Sequence, residues 1–449
     1  MRYTKRILEM PRLGGLVVAL VGTMAGATAS CATEDDPVAS PDAPDDASAP
    51  EASSDAATAD TGSKDVRDAG PIDASPLPVE CTGPSCGVSI VAGISESFCA
   101  LLQDGSVVCW GENDRAQLGR GPDMTEYASA TPAKVVGLPK VVRLGRLCAI
   151  DEGDEIWCWG VGPYLRGATN ETTTEPAPVK LPVAPASSVS VSALAPHLPA
   201  VACAVADGGV VCWGSNANGQ IAEPVVGDSP QHGWAPHDVD LPAGAPIRSL
   251  VVGDATFALR EDGTLSSWGA NPPLGRVSSL FPDPRPKPIA LPNVTSVDVC
   301  FDEACAVSNG AVYCWGGIGA YAAHNDLLGR ALPELVRTPE PVSQVATTAA
   351  FLATSGRRGC AVGLSGDVYC WGPNESGQAG DATKYDFAGE PVKVKGLPAP
   401  AAEVRTTPKA TCALLTNGKI YCWGNDFYGQ LGTGVIRSPD FTPQEVMLP

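Results

Sequence analysis

The side chains of this 449-residue chain best placed to do chemistry are its 16 cysteines. Twelve of them fall into six close pairs. Cys99 goes with Cys109, Cys148 with Cys158, Cys203 with Cys212, Cys305 with Cys314, Cys360 with Cys370, and Cys412 with Cys422. Each pair flanks a turn. Between Cys203 and Cys212, a two-residue loop at Asp207-Gly208 sets the cysteines opposite each other on a β-hairpin. Between Cys99 and Cys109, the three-residue loop Gln103-Asp104-Gly105 does the same. Facing residues in a non-hydrogen-bonded antiparallel pair lie close enough to form a disulfide. The alternative is buried free thiols, since cysteine packs as a small apolar residue. One further site of this kind holds Phe257 and Ser267, so both cysteines are absent together, as paired partners require. Cys81 and Cys86 flank Thr-Gly-Pro-Ser and predict a local disulfide, because no second Cys or His pair supplies metal-ligand spacing. Cys300 has no evident partner.

Other reactive groups are sparse. His232, Trp234 and His237 sit together in Gln-His-Gly-Trp-Ala-Pro-His, where a metal or a ring is one reading and an ordinary exposed loop the other. The spacing matches neither a helix nor a strand face that aims both imidazoles together. The acids Asp151, Glu152, Asp154 and Glu155 crowd one hairpin tip, where solvation is the plain reading. There is no Gly-x-Ser-x-Gly elbow and no phosphate-cradling loop ending in Lys-Ser/Thr. No cofactor, no metal and no catalytic residue is predicted.

These residues hang on a repeat. Trp110, Trp159, Trp213, Trp268, Trp315, Trp371 and Trp423 each precede a glycine, at intervals of 47 to 56 residues. Each follows an apolar run, a turn pair such as Asp104-Gly105 or Asn417-Gly418, and a second apolar run, which is a hairpin. A further strand-like run ending near Leu-Pro recurs, as in TPAKVVGLP (131–139) and TPQEVMLP (442–449). One more β-rich run lies between it and the next hairpin. Four short strands per unit and seven units predict an all-β fold, a seven-bladed β-propeller of four-stranded blades. The seven tryptophans suggest a chromophore or ligand cage on one reading, and packing elements between blades on the other, which the repeat favours. The last run, Thr442 to Leu448, has no hairpin after it. It is therefore expected to complete the blade begun by residues 88–111.

The pattern CALLxDGxVxCWGxNxxGQLGxG resembles the regulator of chromosome condensation repeat. Trp110-Gly111-Glu112-Asn113 with Gln117-Leu118-Gly119 carries it, as do Trp213-Gly214-Ser215-Asn216 with Gly219-Gln220 and Trp371-Gly372-Pro373-Asn374 with Gly377-Gln378. The blades at Trp159, Trp268 and Trp315 keep the corner and degrade the Gly-rich loop. The resemblance implies the seven-bladed propeller and spans 88–449. Members that promote nucleotide exchange act on a cytosolic GTPase. No guanine nucleotide exchange partner is expected for an exported chain.

Export is read from the N-terminus. Arg2, Lys5, Arg6 and Arg12 precede the apolar stretch Leu13 to Ala27, so residues 1–30 read as a signal peptide. Thr28-Ala29-Ser30-Cys31 resembles a bacterial lipobox, making Cys31 a lipidation site and a lipid anchor the only membrane contact. Thr28 departs from that pattern, and Ala27-Thr28-Ala29 offers ordinary cleavage instead. Residues 31–80, rich in Ala, Asp, Pro, Ser and Thr, read as a disordered acidic tether, leaving 81–449 as the propeller. The net charge of −20 argues against nucleic acid, whose phosphates demand Lys and Arg. Predicted, then, is a non-catalytic cell-envelope protein presenting a disulfide-braced propeller to a protein or glycan. The alternatives are an inhibitor of a secreted enzyme, or a polysaccharide lyase or hydrolase built on one face. A convergence of carboxylates, or of His with Arg, at the central channel is the mark of the enzyme. The loops after the Trp-Gly corners vary in length and carry the non-repeat aromatics. Tyr164, Trp234 and Tyr428 are the candidate binding anchors.

Overall fold

The computed structural model describes residues 72–122, 126–165, 172–192, 200–225, 234–300, 303–316, 331–349, 357–385, 387–436 and 439–449. Cys31, the signal peptide, most of the tether, His232 and Tyr321 lie outside them. Among the described residues, twenty-eight strands form seven antiparallel four-stranded sheets, each contiguous in sequence. The blades span 87–134, 141–180, 186–238, 247–288, 294–336, 342–393 and 401–445. The first strand of each blade neighbours the first strands of adjacent blades and lines the channel; the fourth is outermost.

The two hairpin strands form the middle of each sheet and pack against neighbouring blades on both faces. That is why Ser97–Leu102 and Val107–Glu112 are buried at every position instead of alternating. The facing cysteines of six hairpins are disulfide-bonded, not free thiols. Cys99 is joined to Cys109, Cys148 to Cys158, and Cys203 to Cys212. Cys305 is joined to Cys314, Cys360 to Cys370, and Cys412 to Cys422. The Cα atoms lie 4.1 Å apart in every pair, the close approach of directly opposed residues. Cys158, Cys314, Cys370 and Cys422 each sit one residue before the corner tryptophan, so each bridge ties the corner back to the preceding strand. In the fourth blade Phe257 faces Ser267 at that register.

The expected closure is corrected by the pairing. The last strand, Asp440–Glu445, pairs with Ile420–Gly424 of its own blade, and the blade begun at Gly87 is completed by Ala128–Lys134. Each Leu-Pro run follows its own blade's corner loop, so it returns along the strand just left. The next blade starts afresh at the channel.

Residues 72–87 meet the last residues of the propeller by another route. They run across the hairpin tips. Ile72 lies beside Gly310 in blade 5 and Leu77 beside Gly366 in blade 6. Glu80 N–H donates to Thr416 O, and Gly87 N–H donates to Gly418 O, both in blade 7. Cys86, disulfide-bonded to Cys81, packs so closely on Gly418 that a Cβ there would run into its sulfur. The Ser85 hydroxyl donates to the carbonyl of the terminal Pro449. The last part of the expected tether, 72–80, is therefore a strap laid on the propeller.

Candidate functional site: channel and corner loops

In a propeller the inner strand leaves a backbone edge facing the channel, and unpaired edges template unwanted association. Here side chains of one blade cap the next blade's edge. Ser190 accepts from Val252 N–H at 3.1 Å, and Arg248 donates to Thr295 O at 2.6 Å. Asp298 accepts from Thr347 N–H at 2.9 Å. Gln344 bonds both Val404 N–H and Val404 O, at 2.9 and 3.0 Å. Glu403 accepts from Ile90 N–H and Arg405 donates to Ile90 O. Burial raises the Asp298 carboxyl above its usual range, opposed by Arg405 and Arg146. Arg248, Asp298, Glu403 and Arg405 are thus bound to backbone. Among the described residues, no group of three or more His, Cys, Asp and Glu is placed to hold a metal ion.

The Gly-rich corner is a clamp on the following blade. Asn113, Asn216, Asn374 and Asp426 accept from a backbone N–H five residues on. Gln117, Gln220, Gln378 and Gln430 accept from a backbone N–H two residues back. That geometry aims the glutamine's own carbonyl at the next blade's tryptophan. Trp159 donates to Gln117 O at 3.0 Å, Trp268 to Gln220 O at 2.7 Å, and Trp423 to Gln378 O at 3.0 Å. Trp110 donates to Gln430 O at 3.0 Å and so links first blade to last. Where the Gln is missing, a proline carbonyl replaces it: Pro163 for Trp213 and Pro273 for Trp315. The loop that would meet Trp371 lies outside the described residues. The corner tryptophans are packing elements between blades.

Beneath the seam of blades 6, 7 and 1 lies a buried polar network. Arg358 donates to the carbonyls of Thr407, Ala410 and Gln378. Thr407 Oγ1 and Gln430 Nε2 donate to Glu96 at 2.7 and 3.3 Å. Burial pulls the Arg358 guanidinium down to about 9, opposed by Glu96. Burial pushes the Glu96 carboxyl up, opposed by Thr407 and Arg358. Sequence reasoning missed this network, because its members come from three blades and none stands out in its own repeat.

The three predicted anchors fare differently. Tyr164 is 1% exposed and donates to Trp159 O, which corrects its reading as a surface anchor. Blade 2 lacks the Gly-Gln-Leu-Gly turn, and the ring folds under the corner to fill that space. Trp234 is 39% exposed and opens the outermost strand Trp234–Asp238 of blade 3, not a loop. Its ring lies 6.1 Å from that of His237, whose Nε2 is bonded to Ile221 O. Tyr428, half-buried in blade 7, lies 6.1 Å from Tyr127 of blade 1. Trp234 and Tyr428 sit on different blades and form no single patch.

The exposed aromatic side chains among the described residues, Tyr127, Trp234, Phe281, Phe387 and Phe427, stand on corner loops or open the strands those loops enter. The hairpin tips opposite are short turns closed by their own side chains, as where Asp104 accepts from Ser106 N–H and Asp262 from Thr264 N–H. The acids of the second tip are engaged as well: Glu152 with Lys140, Asp154 with Arg143, Glu155 with Lys180, and Asp151 with the Trp157 indole.

A seven-bladed β-propeller clamped by Trp-Gly corners is the class these features define. Comparison with known proteins agrees. Residues 88–117 and 409–430 match the family described as Regulator of chromosome condensation (RCC1) repeat. The chain is 27% identical over 378 residues to the Ultraviolet-B receptor UVR8 of Arabidopsis thaliana, covering 79% of this chain and 81% of that protein. Among solved structures, human WBSCR16 superposes with a TM-score of 0.61 at 19% identity, covering 77% of this chain and 95% of that one. Yeast RCC1 (Prp20), solved with Kap60, superposes with a TM-score of 0.59 at 20% identity, covering 76% and 83%.

Proposed function

We infer that this protein is a non-catalytic recognition propeller that docks a partner protein on its corner-loop face. The observation that carries this reading is the distribution of exposed aromatic side chains. Tyr127, Trp234, Phe281, Phe387 and Phe427 stand on corner loops or the strands they enter, while the tips opposite are short turns partly covered by the strap. Loops on a rigid scaffold are where binding residues concentrate. The edge-capping role of Asp298, Glu403 and Arg405 supports binding over catalysis, because each is engaged by the next blade's backbone. Protein binding also fits the related propeller Prp20, which has been described bound to Kap60 and for its binding to Gsp1p and histones.

The proposal extends to place. The basic and apolar N-terminus, Cys31 and the acidic stretch after it support export and a lipid-anchored envelope protein. Cross-linking on intact cells, with identification of the captured protein and of the linked residues, tests the recognition reading. Links to corner-loop residues support it; links confined to the hairpin tips would overturn it. Lipid mass on the mature N-terminal residue tests the anchor, and an unmodified N-terminus before Cys31 would overturn that part.

A further inference from the structure

The seam between the first and last blades carries the most distinctive chemistry on the corner-loop face. The corner loop of blade 7 crosses onto the outermost strand of blade 1. A Cβ on Gly429 would meet the Ala130 backbone at 2.5 Å, and Gly434 N–H donates to Ala130 O. The crossing brings the Tyr127 and Tyr428 rings together, with Phe427 exposed next to Tyr428 in sequence. Tyr127 and Phe427 are 61% and 65% exposed, and the half-buried Tyr428 ring lies tilted 53° to Tyr127 with centroids 6.1 Å apart.

Carboxylates lie near Tyr428. Asp114 is partly exposed, Glu126 is exposed beside Tyr127, and Glu112 and Glu96 lie buried below. Burial raises the Tyr428 phenol first, and Glu112, Tyr127, Glu96 and Asp114 raise it further. The cations nearby are engaged. Arg115 pairs with Asp114 at 3.6 Å, and Arg358 is spent on buried carbonyls. Residues 81–449 hold 24 basic and 36 acidic side chains, so the wider field has the same sign.

An aromatic face attracts a cation through its quadrupole, and a flanking carboxylate adds a charge-assisted hydrogen bond. Arginine suits both, since its planar guanidinium stacks on rings and donates in a fork. The geometry points to the Tyr127–Phe427–Tyr428 seam as the docking site for an arginine-bearing basic segment of the partner protein. This rests on the recognition reading and narrows it to one seam and one partner chemistry.

The test uses the full chain and a fluorescent nona-arginine peptide, with a Gly/Ser peptide of equal length as control, read by anisotropy. An acidic protein attracts cationic peptide anywhere on its surface, so the decisive variants leave charge untouched. Tyr127→Ala and Phe427→Ala should each weaken nona-arginine binding about fivefold, the scale of a cation–π contact. Trp234→Ala, on blade 3, should leave it unchanged. Equal binding by both ring variants and wild type, or equal binding of the Gly/Ser peptide, would overturn the proposal. A natural partner whose binding depends on Trp234 or Phe281 and not on the seam would overturn it too, while leaving the recognition reading intact. A partner linked only to the hairpin tips would sink that reading itself.

Discussion

The indole N–H of Trp110 donates to the carbonyl of Gln430, 3.0 Å away across a sequence separation of 320 residues. This bond joins the first blade to the last by the same contact that joins neighbours elsewhere in the ring, so closure needs no strand exchange. Trp110→Phe keeps an aromatic side chain but removes the donor and part of the buried volume, leaving a buried carbonyl unpaired. It should cost about 1–3 kcal/mol. Urea denaturation should show the loss in full, whereas Trp157→Phe, whose indole bonds Asp151 at a hairpin tip, should cost less.

Glycines in the corner clamp make room for the indole. Gly380 has φ +71°, and a Cβ there would lie 2.5 Å from Trp423 Nε1. Gly380→Ala should destabilise by roughly 1–3 kcal/mol, from backbone strain and displaced tryptophan together. Gly389→Ala, where nothing lies within 4 Å, should be close to neutral in the same thermal melts.

Asp283 governs the acid limb of stability in the blade without a disulfide. Its carboxylate is fully buried and bonds Arg276, Arg285 and Ser278. Burial works to raise its pKa, but these donors prevail and hold it well below the usual carboxylate range. A depressed folded pKa means the stabilisation is complete above the unfolded value near ~4 and is lost as pH falls toward the folded one. Asp283→Asn should therefore cost on the order of 3 kcal/mol at neutral pH, with the gap to wild type narrowing below about pH 4. A gap that is constant from pH 7 to pH 3 would contradict the pairing.

The strap gives a further test. Removing residues 72–86 uncovers the tips of blades 5 to 7 and frees Pro449 from Ser85, so the melting temperature should fall by several degrees. An unchanged melt would show that the strap does not contribute to the ring.

Much of the fold is legible because its signals are local. Asp207-Gly208 and Asn417-Gly418 announce hairpins, and cysteine register across them gives the disulfides, as in Cys203 with Cys212 and Cys412 with Cys422. What stays hidden is relational. The Leu-Pro runs carry no mark of which blade they join, so the terminal strand reads as part of the wrong one. Tyr164 reads as a loop aromatic because nothing in the sequence shows that a missing Gln-Leu pair leaves a hole for its ring. The Glu96–Arg358 network and the edge-capping Glu403 and Arg405 unite distant blades, and a single sequence does not place distant residues side by side.

Docking on the corner-loop face is decided by hydrogen–deuterium exchange of the propeller with and without its captured partner. If the partner docks there, exchange slows around Tyr127, Trp234, Phe281 and Phe427, with the hairpin tips at Asp104 and Asp262 unchanged. Slowed exchange at those tips with the corner loops unaffected would contradict it.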